Sequence, residues 1–283
     1  MPRTLSRREV LWSIASSVAS VRSLSADDGI SVGMIPDAGA TQVSIDQKAP
    51  LRDYLAKTIG QTVKLVIPTN YNATVEALGN GSLDFAYLGA LTYIKAHERY
   101  GVIPLVQRSI DKQFHSVFVT QSSSAIKTLA DTKGKSFAFG DINSTSGHLI
   151  PFRELKKAGV NADKDLKFRY TGSHSATLKA VETRASDVGA LDETVFKSMT
   201  ADGSVNASKV RIFHTSEPFV DYAWVANKSV SQANREKFAN AFLKLKPGQD
   251  DNILEILRGK DFVRVSDSEY ESVRSVAREL KML

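Results

Sequence analysis

The chain has 283 residues, of which 42% are hydrophobic and 24% are charged, and its mean hydropathy is −0.19. This composition allows one large or two medium domains and excludes a disordered chain and a multispanning membrane protein. The sequence contains no cysteine, which excludes disulfides, thiolate zinc sites, iron–sulfur clusters and thiol nucleophiles.

Residues 1–26 predict an export signal. Arg7 and Arg8 form a charged region, and an apolar run from Val10 to Val21 follows. The run is shorter than the roughly 20 residues that cross a bilayer, so we expect no membrane insertion after the signal is removed. Residues 6–11 resemble a twin-arginine pattern, so the Sec and twin-arginine routes both stay open. An amphipathic first helix is the alternative interpretation.

The same 26 residues carry half of the formal net charge of +6, because they hold four arginines against one glutamate. The rest of the chain is therefore only weakly basic, and its charges are mixed in sign. Nucleic-acid binding would need a basic stripe, so we expect no nucleic-acid partner.

Short β-rich runs alternate with amphipathic stretches in the first half of the chain. The predicted strands are Ile30–Ile35, Val63–Ile67, Asp84–Leu88, Val102–Gln107 and Val117–Thr120. The predicted helices are Val43–Ile59, Asn72–Leu78 and Leu91–Tyr100. This alternation favours βαβ units and parallel sheets.

The second half repeats the scheme. The predicted strands are Ser136–Phe139, Lys167–Tyr170, Val188–Leu191, Val210–His214 and Ala223–Ala226. The predicted helices are Gly147–Ala158, Ser175–Thr183, Glu193–Met199, Gln232–Leu245 and a C-terminal one from Asp267. Two such sets predict two α/β lobes, and ligands of open α/β sheets bind beyond the carboxyl ends of strands.

The segment from Gly140 to Gly147 follows a predicted strand and opens a helix. It contains three consecutive hydroxyl residues, Ser144, Thr145 and Ser146. One hydroxyl can cap the helix, and the others can join the free backbone N–H groups at its positive end. Such a group of donors suits a tetrahedral oxyanion without a metal. Plain capping is the alternative, although it explains only one of the three hydroxyls.

A second junction of this kind places His174 in the first turn of the next helix, where its ring can donate to an anion. In the first half, Tyr71 offers a phenol donor, and Gly89 permits close approach of the backbone. Tyr93 either points into the cleft or packs in the core. Phe114 and His115 lie near the expected crossover between the halves, Asp192 follows a predicted strand, and Asp221 precedes the last long strand.

Enzyme motifs fit poorly. Ser124 and Lys127 match a Ser-x-x-Lys pattern, but no Lys-Thr-Gly partner accompanies them. Neither a Gly-x-Ser-x-Gly elbow nor a His-Glu-x-x-His motif occurs, and the five histidines lack metal-binding spacing. We therefore predict no enzyme, no cofactor and no metal site.

Taken together, these motifs resemble the phosphate, phosphite and phosphonate substrate-binding proteins of ABC importers. The resemblance extends from about Ile30 to Leu245. Its specific elements are Ser144-Thr145-Ser146-Gly147 and Gly172-Ser173-His174, in that order. It is supported by Asn70–Ala73, Leu83–Gly89, Phe114–Val117, Leu129–Lys135 and Pro218–Tyr222.

The resemblance implies a type II periplasmic binding protein fold with two α/β lobes, a central ligand cleft and two hinge crossovers. We place lobe 1 at residues 27–112 and 226–283, and lobe 2 at residues 113–225. By the same resemblance, lobe 2 holds the PO3 oxygens and Tyr71 approaches from lobe 1. Phe114 stands where a tyrosine is common. No convincing acidic pair for an amine is present, although Asp192 or Asp221 can serve.

The implied function is high-affinity binding of phosphite, methylphosphonate or another phosphonate in the periplasm, and its delivery to an ABC permease with its ATPase. The implied binding protein is a monomer. Three alternatives stay open: a binding protein for phosphate or another small oxyanion, a ligand-sensing partner of a signalling receptor, and an enzyme acting on phosphorylated substrates.

Overall fold

A computed structural model describes residues 29–37, 39 and 42–283. The predicted export signal, residues 1–26, lies outside the described residues. The strands are β1 Ile30–Met34, β2 Val63–Val66, β3 Phe85–Leu88, β4 Ile103–Arg108, β5 Ser116–Gln121, β6 Ser136–Phe139, β7 Lys167–Tyr170, β8 Val188–Asp192, β9 Val210–Thr215, β10 Ala223–Ala226 and β11 Phe262–Arg264.

The helices begin and end close to the predicted bounds in most places. They are α1 Gln42–Asp46, α2 Ala49–Ile59, α3 Tyr71–Gly79, α4 Ala90–Tyr100, α5 Ile150–Lys157, α6 Ala162–Asp165, α7 His174–Glu182, α8 Glu193–Ala201, α9 Gln232–Leu243, α10 Asp251–Ile256 and α11 Glu271–Glu279. A π-helical turn, Thr145–Leu149, leads directly into α5, and a 3-10 turn, Asp267–Tyr270, leads into α11.

The strands form two sheets, which define the two lobes. The sheet of the first lobe has the order β11-β4-β10-β3-β1-β2, and that of the second lobe β7-β6-β8-β5-β9. The core of the first lobe includes the fully buried Trp224, Phe85 and Phe238, with the last two rings stacked at 3.9 Å. Phe137 and Phe139 occupy the core of the second lobe. Two α/β lobes of this kind constitute a type II periplasmic binding protein fold.

The sheets are mixed, whereas the sequence pattern had indicated parallel sheets. Strand β10 runs antiparallel to β3 and β4, and β5 runs antiparallel to β8 and β9. The physical reason is that β5 and β10 each follow a crossover, so the chain enters the sheet from the opposite end. Because β10 pairs in the first sheet, the second crossover precedes Ala223, whereas the sequence placed the return to lobe 1 at residue 226.

Other differences are local. The predicted helix Val43–Ile59 is interrupted at Gln47–Lys48, because Pro50 is placed in the first turn of a new helix, where its missing N–H costs nothing. Helices α6 and α10 and strand β11 were not predicted, since short elements carry too little periodicity to be recognised. Strand β11 extends the first sheet at its edge beside β4.

The two crossovers lie side by side. Phe114 and Phe219 form an antiparallel bridge with hydrogen bonds of 2.8 and 3.0 Å, and the Asp221 N–H donates to the Asp111 carbonyl at 2.9 Å. This pairing holds the segment that follows Phe219 beside the first crossover, where Asp221 also contacts Ala90 of the first lobe.

Candidate anion-binding site

The three hydroxyl residues of the second lobe have different partners. The Ser144 hydroxyl accepts the Gly147 N–H at 3.0 Å and so caps the helix. The Thr145 hydroxyl accepts the Leu91 N–H of the first lobe at 3.0 Å. The Ser146 hydroxyl is buried and has no hydrogen-bond partner within the described residues. Capping therefore uses one of the three, and Ser146 keeps a free hydroxyl.

Two glycines bring this turn close to His174. The Gly140 N–H donates to the Gly147 carbonyl at 2.9 Å. A Cβ on Gly147 would lie 3.0 Å from the Cε1 atom of His174 and from the hydroxyl of Ser144. The close approach of the two strand-to-helix junctions in the second lobe therefore requires a glycine here.

The His174 ring is neutral in this arrangement. Its Nδ1 accepts the Asp192 N–H at 3.3 Å, and its Nε2 lies 3.3 Å from the Tyr222 hydroxyl. Since that hydroxyl donates to the Asp192 carboxylate at 3.0 Å, the proton sits on Nε2 and points to Tyr222. Burial lowers the pKa of His174, which favours the same uncharged form. Both ring contacts are long for hydrogen bonds and can be exchanged for a better acceptor.

Tyr71 reaches the same place from the first lobe. Its side chain is 1% exposed, and its hydroxyl has no hydrogen-bond partner within the described residues. Burial raises the pKa of Tyr71 well above its usual value, and nearby carboxylates, among them Asp141 and Asp221, raise it further. The Tyr71 hydroxyl is therefore a neutral donor at any physiological pH.

Asp221 lies on the second crossover. One carboxyl oxygen accepts the Ala90 N–H at 2.9 Å, and the Thr145 side chain lies nearby and lowers the pKa of this carboxyl group. The other oxygen, Oδ2, is buried without a hydrogen-bond partner among the described residues. Burial raises the pKa of Asp221 to about 8, and the charges of Asp111 and Asp192 add to the increase. The carboxyl group is thus mostly protonated at pH 7 and can donate a hydrogen bond.

Tyr71, Ser144, Thr145, Ser146, His174 and Asp221 form what we call the cluster. Gly89 and Asp192 lie beside it in other roles. A Cβ on Gly89 would lie 3.3 Å from both Asp221 and Thr145, so its backbone packs closely there. The Asp192 carboxylate caps α8 by accepting the N–H groups of Thr194 and Val195, and it also accepts the Tyr222 hydroxyl. Asp192 therefore supports His174 and Tyr222, and its bonding does not favour the direct ligand contact predicted from the sequence.

Three predicted site residues are directed elsewhere. The Tyr93 hydroxyl donates to Asp267 at 2.7 Å, a placement that favours the packing alternative. The fully buried Phe114 packs edge-on against Tyr222 at the crossover. The His115 ring bonds to the Ser216 carbonyl at 2.8 Å. The cluster does not include these three side chains.

The sequence interpretation missed Asp37 and Arg258, an ion pair beside His174 in which Asp37 is buried and Arg258 is partly exposed. Burial alone would raise the pKa of Asp37, but the Arg258 guanidinium and the Lys48 ammonium outweigh it and lower the pKa to about 2. Asp37 follows β1 closely, so the carboxyl-end rule could have found it. Arg258 follows a short helix that has no sequence signal.

The cluster combines neutral donors from both lobes. It also includes the amino-terminal ends of two helical segments, the turn from Thr145 and helix α7 from His174. The first N–H groups of a helix lack partners within it, and here those of Gly147 and Ala176 donate to the Ser144 and Ser173 hydroxyls while that of His174 donates to the Asp37 carbonyl. Across residues 29–37, 39 and 42–283, no group of three metal-ligating side chains is assembled. Within the same ranges, no helix is both long and apolar enough to cross a bilayer. Chemically, the cluster can bind a small anion through hydrogen bonds to neutral groups.

Comparison with known proteins decides the family. The profile of the family described as "ABC transporter, phosphonate, periplasmic substrate-binding protein" matches residues 32–270. The chain belongs to this family. A probable ABC transporter phosphite binding protein of Prochlorococcus marinus, PhnD1, is 32% identical to this phosphonate-family binding protein over 270 residues, or 90% of each chain.

Two further comparisons bear on the fold and the ligand class. The 1.52 Å structure of PhnD1 in complex with methylphosphonate has a TM-score of 0.82 and 30% sequence identity to this phosphonate-family protein. The superposition covers 90% of the binding protein and 98% of PhnD1. A phosphate-import protein of Mycolicibacterium smegmatis is 25% identical over 260 residues, covering 82% of the present chain and 81% of its own.

Proposed function

We propose that this protein binds a small phosphorus oxyanion, such as phosphite, methylphosphonate or another phosphonate, and delivers it to an ABC permease with its ATPase. One observation carries the proposal. Tyr71 of the first lobe, Ser146 of the second and Asp221 of the crossover each hold a buried polar atom without a partner among the described residues. Leaving such an atom unpaired costs roughly 1–3 kcal/mol, so a bound ligand that pairs all three is strongly favoured.

The proposed roles follow from the donors. The Tyr71 and Ser146 hydroxyls and the Asp221 carboxyl donate to the anion's oxygens, with Thr145 and the capped turn from Ser144 beside them. His174 gives up its long contact with Tyr222 and donates to the anion as well. Hydrogen bonds to a charged oxygen are roughly twice as strong as neutral ones, and a closed cleft strengthens them further.

The protonated Asp221 explains how an anion is accepted among carboxylates. Asp37 is neutralised by Arg258, and Asp192 is occupied by a helix end and a hydroxyl. One proton is then shared in a hydrogen bond between the Asp221 carboxyl group and an oxygen of the ligand. A ligand with an ionisable oxyanion suits this arrangement.

The biological setting is part of the same proposal. We take residues 1–26 as a signal for export to the periplasm by the Sec or twin-arginine route. Lobe 1 comprises residues 27–112 and 223–283 and lobe 2 comprises residues 113–222, because β10 pairs in the sheet of the first lobe. The protein acts as a monomer, and transport rather than catalysis is its role. The transport role is supported by the substrate-binding family to which the chain belongs.

Phosphate is the second candidate ligand, and one observation favours it. The Mycolicibacterium smegmatis relative is named a phosphate-import protein. Phosphate offers a fourth oxygen where phosphite and phosphonates have hydrogen or carbon. The two classes can therefore be separated only by measuring their relative affinities.

Isothermal titration calorimetry tests the proposal with phosphite, methylphosphonate, aminoethylphosphonate, phosphate and sulfate. We expect dissociation constants between about 1 nM and 1 μM for the preferred ligand, or −12 to −8 kcal/mol. Ser146→Ala should weaken that ligand by roughly 1–3 kcal/mol. The matched control is Ser123→Ala, which alters an exposed serine in the loop after β5.

Two results would overturn the proposal. One is micromolar or tighter binding of sulfate with none of any phosphorus compound. The other is an unchanged affinity in Ser146→Ala, which would remove the site assignment even if the ligand class is right. Turnover of a phosphoester substrate in the same solutions would instead support the enzyme alternative.

A further inference from the structure

Arg258 projects from a tightly held turn at the side of the cleft. It follows α10 with φ of +50°, a left-handed conformation that is uncommon outside glycine. The buried Arg108 side chain holds this turn by donating to the carbonyl oxygens of Leu257 at 3.1 Å and Arg258 at 3.2 Å. Arg108 is fixed in turn by a bidentate ion pair with Asp111, at 2.6 and 2.8 Å. The side chain of Arg258 therefore leaves a rigid base.

That side chain contacts both lobes. Its guanidinium forms an ion pair with Asp37, which lies in the loop after β1 of the first lobe. Its Nε donates to the Thr194 hydroxyl, in the first turn of α8 of the second lobe, at 3.2 Å. The Arg258 side chain is only 17% exposed, so water weakens these bonds little.

The ion pair also contacts helix α7 of the second lobe. The Asp37 carbonyl accepts the His174 N–H, at the start of α7, at 3.0 Å. The Thr194 hydroxyl, in turn, donates to Asp192 at 2.7 Å. Helix α7 thus bonds to Asp37 and helix α8 bonds to Arg258. Tyr71, Ser146 and Asp221 form no hydrogen bond with Arg258 among the described residues.

We propose that Arg258 is a positioning residue for ligand binding, which joins the closed lobes through Asp37 and Thr194 and so sets the affinity and residence time without touching the ligand. This inference rests on the proposed function, because closure raises affinity only where a ligand is enclosed. A ligand that requires the closed state loses apparent affinity in proportion to the fraction of protein that is closed. Removing the bridge should therefore weaken every enclosed ligand equally.

The decisive variants are Arg258→Gln, which removes the charge, and Arg258→Lys, which retains it. The purified protein is titrated with phosphite and with methylphosphonate, and dissociation is followed by stopped flow. We expect Arg258→Gln to weaken both ligands by the same factor, about tenfold or more, mainly through faster dissociation. Arg258→Lys should restore part of the loss. Thr194→Val should weaken binding in the native background and add little to Arg258→Gln.

A second measurement reads closure without any ligand. Because the chain has no cysteine, spin labels can be placed at Lys57→Cys in the first lobe and Lys209→Cys in the second, both exposed positions. In ligand-free protein, Arg258→Gln should shift the distance between the labels toward more open values. The melting temperature of Arg258→Gln should fall by a few degrees at most. A purely structural role would instead predict a loss of stability without faster ligand dissociation.

Several outcomes would overturn the inference. Unequal losses for ligands of different charge would make Arg258 a direct ligand contact. Unchanged label distances and dissociation rates would remove any role in closure. A protein that binds neither phosphite nor methylphosphonate would refute the proposed function alone, since the label distances of the ligand-free variants still decide whether Arg258 joins the lobes.

Discussion

The hydroxyl of Thr145, on the second lobe, accepts the backbone N–H of Leu91, on the first, at 3.0 Å. The same Thr145 side chain lies near the Asp221 carboxyl group and lowers its pKa, so one residue adjoins both lobes and the crossover between them. This hydroxyl group is therefore one of the direct links between the two lobes.

Thr145→Val tests this connection while keeping the shape of the side chain. The change leaves the buried N–H of Leu91 without an acceptor. We expect ligand affinity to fall by roughly 1–3 kcal/mol in calorimetry. Thr145→Ser keeps the hydroxyl and should retain most of the affinity, and equal losses in the two variants would contradict the assignment.

The pH dependence of binding follows from Asp221, whose pKa burial raises to about 8. Its proton is present below that pH and is lost as the pH rises through it, and the resulting carboxylate repels the anion. We expect affinity to fall above about pH 8, by as much as tenfold per pH unit. Calorimetry between pH 6 and about pH 10 measures the change.

Asp221→Asn provides the control for that dependence. The amide keeps an acceptor for Ala90 and a donor for the ligand, but it does not titrate. Binding near neutral pH should survive in this variant, and the decline above about pH 8 should disappear. A decline of the same size in the variant would assign the titration to another group.

Two tyrosines of the first lobe should respond differently to loss of the hydroxyl. Tyr71→Phe removes a buried donor that has no partner among the described residues, so we expect weaker binding with little loss of stability. Tyr93→Phe removes a bond to Asp267, so we expect some loss of stability with unchanged affinity. Calorimetry and thermal unfolding together distinguish the two, and the reverse pattern would show that Tyr93 lines the ligand site.

The close packing of the second lobe predicts a loss of stability when Gly147 is replaced. In Gly147→Ala the new Cβ would meet His174 and Ser144 at 3.0 Å, and both are held in place. We expect a loss of stability of about 1–3 kcal/mol and weaker ligand binding. In Gly140→Ala the nearest atom would be 3.4 Å away, so its melting temperature should fall less, and a larger fall would contradict the packing described.

Local sequence patterns were sufficient for the two-lobe architecture and for the two strand-to-helix junctions of the candidate site. The alternation of β-rich runs with amphipathic stretches predicted two α/β lobes, and the strand bounds at Ser136–Phe139 and Lys167–Tyr170 agree with the structure. The three hydroxyls before a helix and His174 in the first turn of another were recognisable because capping depends on neighbours along the chain. The mixed direction of the sheets was not, since it depends on where the crossovers re-enter.

Only the tertiary structure decided which groups are free and which are charged. Leu91 and Thr145 are 54 residues apart, yet their contact leaves Ser146, rather than Thr145, as the unpaired hydroxyl. Asp37 and Arg258 are 221 residues apart, and their ion pair keeps the pKa of Asp37 low, whereas burial raises the pKa of Asp221 to about 8. Hydrogen-bond capacity and pKa are set by burial and by distant neighbours, and no spacing within the sequence encodes those directly.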